Sequence, residues 1–152
     1  MFFKKVSLVT GGFDPIHSGH IRYFERAKDL SNYLVVGINT NEWLTRKKGQ
    51  YFLPWIERAE IIRHLDMVDA VISWEDDDDS ALGAISKCLE ISEKVIFCNG
   101  GDRGKDNTPE TIKYKDNPRV QFEYGIGGDD KRNSSSWILK GYFERQRKLL
   151  GI

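Results

Sequence analysis

The feature that most constrains the fold is a recurring pair: a short apolar run that stops at glycine or polar residues, then a stretch with helical spacing. Residues 6–10 (VSLVT) stop at Gly11-Gly12, and from Ser18 onward Ile21, Phe24, Ala27 and Lys28 follow a 3.6-residue period. This predicts a strand over 6–10 and a helix over 18–30 with Ser18 as its cap. Residues 33–38 (YLVVGI) are almost continuously apolar, the pattern of a parallel strand buried on both faces. The polar, basic stretch 39–51 is a loop or a short irregular helix. Pro54 opens a helix over 54–65 that carries Ile56, Ala59, Ile61, Ile62 and Leu65. Residues 70–73 read as a short strand. The acidic run 75–79 (EDDDD) fits the first turn of a helix bearing Leu82, Ile85 and Leu89. Residues 94–98 form a further strand, 108–114 a short helix and 120–124 the last strand. After a glycine-rich charged loop over 125–132, a final helix runs over about 134–149, with Ile138, Phe143 and Leu149 among its apolar positions.

Strands of the buried type alternating with helices imply an α/β fold: a Rossmann-like three-layer sandwich around a five-stranded parallel sheet, in a single domain over 1–152. A chain of 152 residues buries about two-thirds of its unfolded surface and folds without a disulfide or structural metal. Its 23 Lys plus Arg balance 23 Asp plus Glu, which argues against general nucleic-acid binding, since that requires a basic face. The two cysteines, Cys88 and Cys98, have no metal-ligand spacing and read as reduced core residues of a cytoplasmic protein. The apolar start of the chain is too short for a signal peptide, and no run reaches the ~20 apolar residues of a membrane span.

Glycine and polar signals cluster just after the strands, at 11–20, 39–50, 99–106 and 125–136. In an open parallel sheet these loops share one rim, where ligands bind. The first cluster, Thr10–His20 (TGGFDPIHSGH), has the sharpest content. Gly11-Gly12 allow backbone amides close to a phosphate. Asp14-Pro15 turns the chain. His17 and His20, three apart at a helix start, share one face at the positive end of the helix. On the residues alone three readings stay open: an anion site, a zinc pair with Asp14 as a third ligand, or a plain helix start with surface histidines.

The segment GGFDPIHSGH resembles the HxGH signature of the nucleotidylyltransferase superfamily. Its members include glycerol-3-phosphate cytidylyltransferase, heptose-phosphate adenylyltransferase, nicotinamide-mononucleotide adenylyltransferase and phosphopantetheine adenylyltransferase. The resemblance runs from Lys5 to about Gly141 and is nearest to the first two. It implies transfer of a nucleoside monophosphate from CTP or ATP to a phosphorylated sugar or polyol, with release of pyrophosphate. It implies that His17 and His20 contact the triphosphate, and that Thr10, Gly11, Gly12, Phe13 and Asp14 line the nucleotide pocket. Gly12 stands where many relatives carry Thr or Ser, so that hydroxyl is missing or is supplied by Thr10. In the RKKG loop Lys47, Lys48 or Arg46 stands for the relatives' lysine near the phosphates or the acceptor, with Lys47 favoured. Arg58 matches the arginine of an ERxxII helix on the acceptor or nucleotide side, and Asp69 a structural VDxV element. Gly100, Gly101 and Asp102 resemble a GGD segment, with Arg103 and Lys105 beside it. Ser134, Ser135 and Ser136 match an ISTT-type motif at a helix start, and Arg132 replaces an arginine that relatives carry a few residues earlier.

By that resemblance His17, His20, Lys47 and Ser134 are the catalytic groups. The acceptor phosphate attacks directly, and Mg²⁺ is held mainly by the phosphates, with Asp14 as the one protein side chain in reach. The partners are a nucleoside triphosphate and a phosphorylated small molecule. A homodimer is also expected, with Trp43, Tyr51, Phe52 and Trp55 as interface or acceptor-cover candidates. The two coenzyme-making activities remain alternatives, as does a non-catalytic nucleotide-binding module.

Overall fold

The computed structural model describes residues 2–100, 107–127 and 134–152. Among these residues five strands form one sheet in the order β3-β2-β1-β4-β5. They are β1 (Phe3–Gly11), β2 (Leu34–Ile38), β3 (Ala70–Ile72), β4 (Ser92–Gly100) and β5 (Val120–Ile126). Every neighbouring pair is parallel. Six helices connect or follow them: α1 (Ser18–Asp29), α2 (Asn41–Lys48), α3 (Trp55–Arg63), α4 (Leu82–Leu89), α5 (Pro109–Tyr114) and α6 (Ser135–Leu150). The expected α/β architecture with a five-stranded parallel sheet is therefore present.

The pleat explains the two cores. In β1, Val6 and Leu8 face one side and Val9 the other. On the first side they join Val35, Val95 and Phe97 under Trp74 and the Ala84, Ile85 and Cys88 face of α4. On the second, Val9, Leu34, Val36, Ile38, Ile96 and Cys98 pack on Phe24 and Ala27 of α1 and Ala59 and Ile62 of α3. All five residues of β2 are buried, as its continuous apolar run requires. Gly37 belongs in that strand because a Cβ there would stand 2.9 Å from the Trp74 ring. Asp69 accepts the Leu34 N–H at 2.8 Å and pairs with Lys28, tying the start of β2 to the end of α1.

Two local expectations are corrected. Ser18 does not cap α1; His17 does, as described below. The acidic run does not form the first turn of α4, which starts at Leu82 with no acidic residue in that turn. Asp76 is instead buried, and its carboxylate accepts from Asn39 Nδ2, Thr40 N and Thr40 Oγ1 at 3.0, 2.9 and 2.8 Å. Three donors at the end of β2 outweigh what a helix dipole offers an exposed carboxylate. Stretch 39–51 contains a regular helix, α2, capped by Thr40 and closed at Gly49 with φ 88°.

In this sheet order the chain crosses from one side of β1 to the other between β3 and β4. The gap beyond the carboxyl ends of β1 and β4 is therefore the switch point, where open parallel sheets form a crevice.

Candidate active site at the carboxyl end of β1

A cleft of about 320 Å³ lies at that point, lined by Thr10, Gly11, Gly12, Phe13, His20, Tyr23, Trp43, Lys48 and Ser135. The segment after β1 forms its floor. Phe13 takes a left-handed backbone conformation, φ 50°, and is buried. Its ring turns back under Gly11, so a Cβ at Gly11 would lie 2.9 Å from Phe13 Cζ. The same ring meets Phe24 and His20 edge-on, with centroids 5.1 and 5.0 Å apart. At Gly12 a Cβ would meet Leu44 Cδ2 at 2.8 Å and the Trp43 ring at 3.6 Å. Glycine here lets α2 press against the end of β1 and brings Trp43 to the cleft.

The two histidines start α1. His17 Nδ1 accepts the Gly19 N–H at 3.1 Å, and His20 Nδ1 accepts the His17 N–H at 3.2 Å. This is a reciprocal capping box built from imidazoles. Gly19 makes it possible, because a Cβ there would lie 2.9 Å from His17 Cε1. With each Nδ1 committed as an acceptor, the proton of each neutral ring sits on Nε2, leaving two N–H donors directed away from the helix start. Burial lowers the His17 pKa. Burial, then His17 and Lys48, push His20 down to about 3. Both rings are therefore neutral near neutral pH.

Other parts of the chain close the cleft. Ser134 caps α6 by accepting the Trp137 N–H at 3.0 Å. Ser135 Oγ donates to Pro15 O at 2.8 Å, fastening the start of α6 to the segment after β1. Lys48 projects from the last turn of α2, whose basic residues suit the negative helix end. Among the described residues Lys48 enters no ion pair, whereas Lys47 pairs with Asp79 at 3.2 Å. The cleft thus receives Lys48, not the favoured Lys47. Tyr23 hydroxyl donates to Cys98 O at 2.6 Å, joining α1 to β4 on the cleft wall. Tyr23 was missed in the sequence, although it follows His17 and His20 at three-residue steps along one helix face. His20 in the lining with His17 stacked on it, Lys48, Ser135 and the starts of α1 and α6 together suit a polyanion.

Several expected residues serve elsewhere. Arg58 is 1% exposed, and its guanidinium donates to Leu53 O, Gly12 O, Asn39 O and Asn41 Oδ1 at 2.8–2.9 Å. It holds three segments together and does not line the cleft. Asp14, also buried, accepts the N–H groups of Phe52 and Leu53 at 2.6 and 2.7 Å, one on each oxygen. Among the described residues no three His, Cys, Asp or Glu side chains converge as a metal site. Gly100 ends β4 beside Ile126 of β5, and Ser136 is exposed on α6. Gly101, Asp102, Arg103, Lys105 and Arg132 lie outside the described residues. Trp55 Nε1 donates to Ile38 O at 3.0 Å. Cys88 and Cys98 are buried free thiols whose pKa values burial raises to about 12, so neither is a ready nucleophile.

The sequence profile of the cytidylyltransferase-like family matches residues 8–117. The bifunctional protein HldE of Geobacter metallireducens is 30% identical over 148 residues, covering 93% of this chain and 28% of the relative. The bifunctional protein HldE of Citrifermentans bemidjiense is 38% identical over 101 residues, covering 65% of this chain and 20% of the relative. The chain thus spans less than a third of the length of these curated relatives. Among solved structures, the lipopolysaccharide core biosynthesis protein from Thermoplasma volcanium superposes with TM-score 0.64 at 25% identity, covering 84% of this chain and 99% of that one. A protein of unknown function from Archaeoglobus fulgidus shares the fold at TM-score 0.54 and 17% identity.

Proposed function

Because the chain belongs to the cytidylyltransferase-like family, we propose that it transfers a nucleoside monophosphate from CTP or ATP to a phosphorylated sugar or polyol and releases pyrophosphate. The observation that carries this reading is the pair of neutral imidazoles at the start of α1, each with Nδ1 engaged by the backbone. The similarity to two HldE proteins and to a lipopolysaccharide core biosynthesis protein favours a sugar phosphate over the coenzyme-type acceptors.

In this reading the acceptor phosphate oxygen attacks the α-phosphorus. The new O–P bond forms as the bond to the β-phosphate oxygen breaks, and pyrophosphate leaves. The acceptor is already anionic, so no general base is required. His17 and His20 donate Nε2–H to phosphate oxygens, Lys48 offsets the charge that builds on the leaving group, and the start of α6 at Ser134 and Ser135 holds a phosphate. These groups are fixed by the fold before substrate arrives, which makes electrostatic stabilisation effective. Mg²⁺ would arrive bound to the triphosphate and neutralise part of its charge. Asp14 has both oxygens engaged by backbone N–H groups, which suits an ion held by phosphate oxygens.

Pyrophosphate release with CTP and with ATP, each against glycerol 3-phosphate, heptose 1-phosphate, nicotinamide mononucleotide and phosphopantetheine, tests the assignment. Turnover with a sugar or polyol phosphate is expected. Turnover only with the last two acceptors would reassign the chain, and nucleotide binding with no turnover would make it a binding module.

We also propose a homodimer formed through α6. None of its residues is buried, and Trp137, Phe143, Leu149 and Leu150 stand more than half exposed along it. Sedimentation should give twice the 17.5 kDa chain mass, and Phe143→Lys should return it to the monomer.

A further inference from the structure

Three consecutive cations, Arg46, Lys47 and Lys48, end α2, yet one of them lines the cleft. The other two are engaged by the acidic turn 76–79. Arg46 Nη2 donates to Asp79 Oδ1 at 3.1 Å and to Asp76 O at 2.8 Å. Lys47 Nζ lies 3.2 Å from Asp79 Oδ2. Successive residues of a helix point about 100° apart, so fixing 46 and 47 on that turn rotates 48 away from it, toward the cleft. The same turn grips the other end of α2, because the Asp76 carboxylate holds Asn39 and Thr40, and Thr40 caps the helix. A helix of eight residues with Leu44 as its one buried side chain has little packing of its own to set its rotation. The turn is braced in return. Asp79 has φ 62°, a conformation side-chain-bearing residues rarely hold, and the Asp78 carboxylate accepts both Ser80 N and Ser80 Oγ.

We propose that Asp79 is a positioning residue that acts through Lys48. By engaging Arg46 and Lys47 it fixes the last turn of α2, so that the ammonium of Lys48 faces the nucleotide phosphates. This rests on the reading of the cleft as a triphosphate site. Half-exposed ion pairs of this kind contribute little to global stability, so their effect is read in ligand binding and not in melting.

The test is a double-mutant cycle on the whole chain, with Mg²⁺-ATP and Mg²⁺-CTP titrated calorimetrically and Tm recorded. Lys48→Ala should weaken triphosphate binding about tenfold or more, the order of one charge-assisted contact. Asp79→Gly suits the positive φ and should weaken it about threefold to tenfold with Tm little changed. Asp79→Asn, which keeps one acceptor oxygen, should fall between this variant and wild type. Lys48→Ala with Asp79→Gly should bind no worse than Lys48→Ala alone, because Asp79 acts only through that lysine. Losses that multiply in the double variant, or wild-type affinity in Asp79→Gly, overturn the proposal while leaving the triphosphate site standing. A Lys48→Ala variant of wild-type affinity, or a wild type that binds neither triphosphate, removes the premise and the proposal with it.

Discussion

His17 lies against His20 with ring centroids 3.8 Å apart and planes 30° from parallel, and each ring accepts a backbone N–H from the turn it helps to form. One contact thus serves both the start of α1 and the proposed chemistry, and substitutions can separate the two roles.

Asparagine caps a helix well but has no imidazole. His17→Asn should therefore melt near wild type, while His17→Ala should lose about 1 kcal/mol, the usual value of a cap. Both should lower turnover by about 10²–10³, the range for removing one preorganised donor. Thermal melts alongside pyrophosphate release check this, and near-wild-type turnover in His17→Asn would return the ring to a purely structural role.

Gly19→Ala should show the opposite balance. Alanine favours the helix by about 1 kcal/mol over glycine, but its Cβ would stand 2.9 Å from His17 Cε1 and 3.1 Å from His17 Nδ1. The ring must move off the Gly19 amide. Stability should change by less than about 1 kcal/mol while turnover falls, a split visible in the same two assays.

The depressed His20 pKa sets a pH dependence of stability. In the unfolded chain the ring takes up its proton near 6.5, and in the folded chain only near 3. The unfolded state therefore holds more protons between these values, so this contribution is fully present above pH 6.5 and is lost as pH falls toward 3. The lowered pKa of His17 acts in the same direction. His20→Gln retains a capping-box acceptor. Its urea midpoint should decline less steeply than that of wild type between pH 7 and pH 4. Parallel declines would mean that His20 is not held neutral by the fold.

Arg58 bridges the loop at Leu53, the glycine pair at Gly12 and the entrance of α2 at Asn39 and Asn41. Replacing it with Met leaves buried carbonyls without donors, and the loss should be about 3–5 kcal/mol, as for a broken buried charged network. Tm should fall by roughly 2–4 °C per kcal/mol for a chain of this size. Arg58→Lys should recover little, since one ammonium cannot span four acceptors in a plane. A melt of Arg58→Met within a few degrees of wild type would refute this.

The strands and the histidine pair were legible in the sequence because each rests on a local pattern. An apolar run such as 33–38 has few alternatives to a buried strand, and two histidines three apart at the end of a strand have few uses. What was not legible depended on tertiary partners. Nothing in EDDDD marks Asp76 as buried, because its donors, Asn39 and Thr40, sit at the end of another strand. The sequence favours Lys47 over Lys48, because nothing in RKKG shows that Asp79, far along the chain, pairs with Lys47. Arg58 reads as an arginine of the acceptor or nucleotide side, and only Gly12 and Asn39 opposite it show that its guanidinium is spent on buried carbonyls. His17, unlike serine, is no common cap, and its capping role depends on the Gly19 that follows it.

The grip of Asp14 on residues 52 and 53 has an evolutionary consequence. The carboxylate holds the backbone of Phe52 through its N–H, while Phe52 is 53% exposed. Main-chain position in this loop is thus set from the interior, and side-chain identity is left unconstrained by the core. Tyr51 and Phe52 can be exchanged for residues of other size or charge while the path of the loop stays fixed. A lineage built on this scaffold can vary the outer face of this loop without first destabilising the fold.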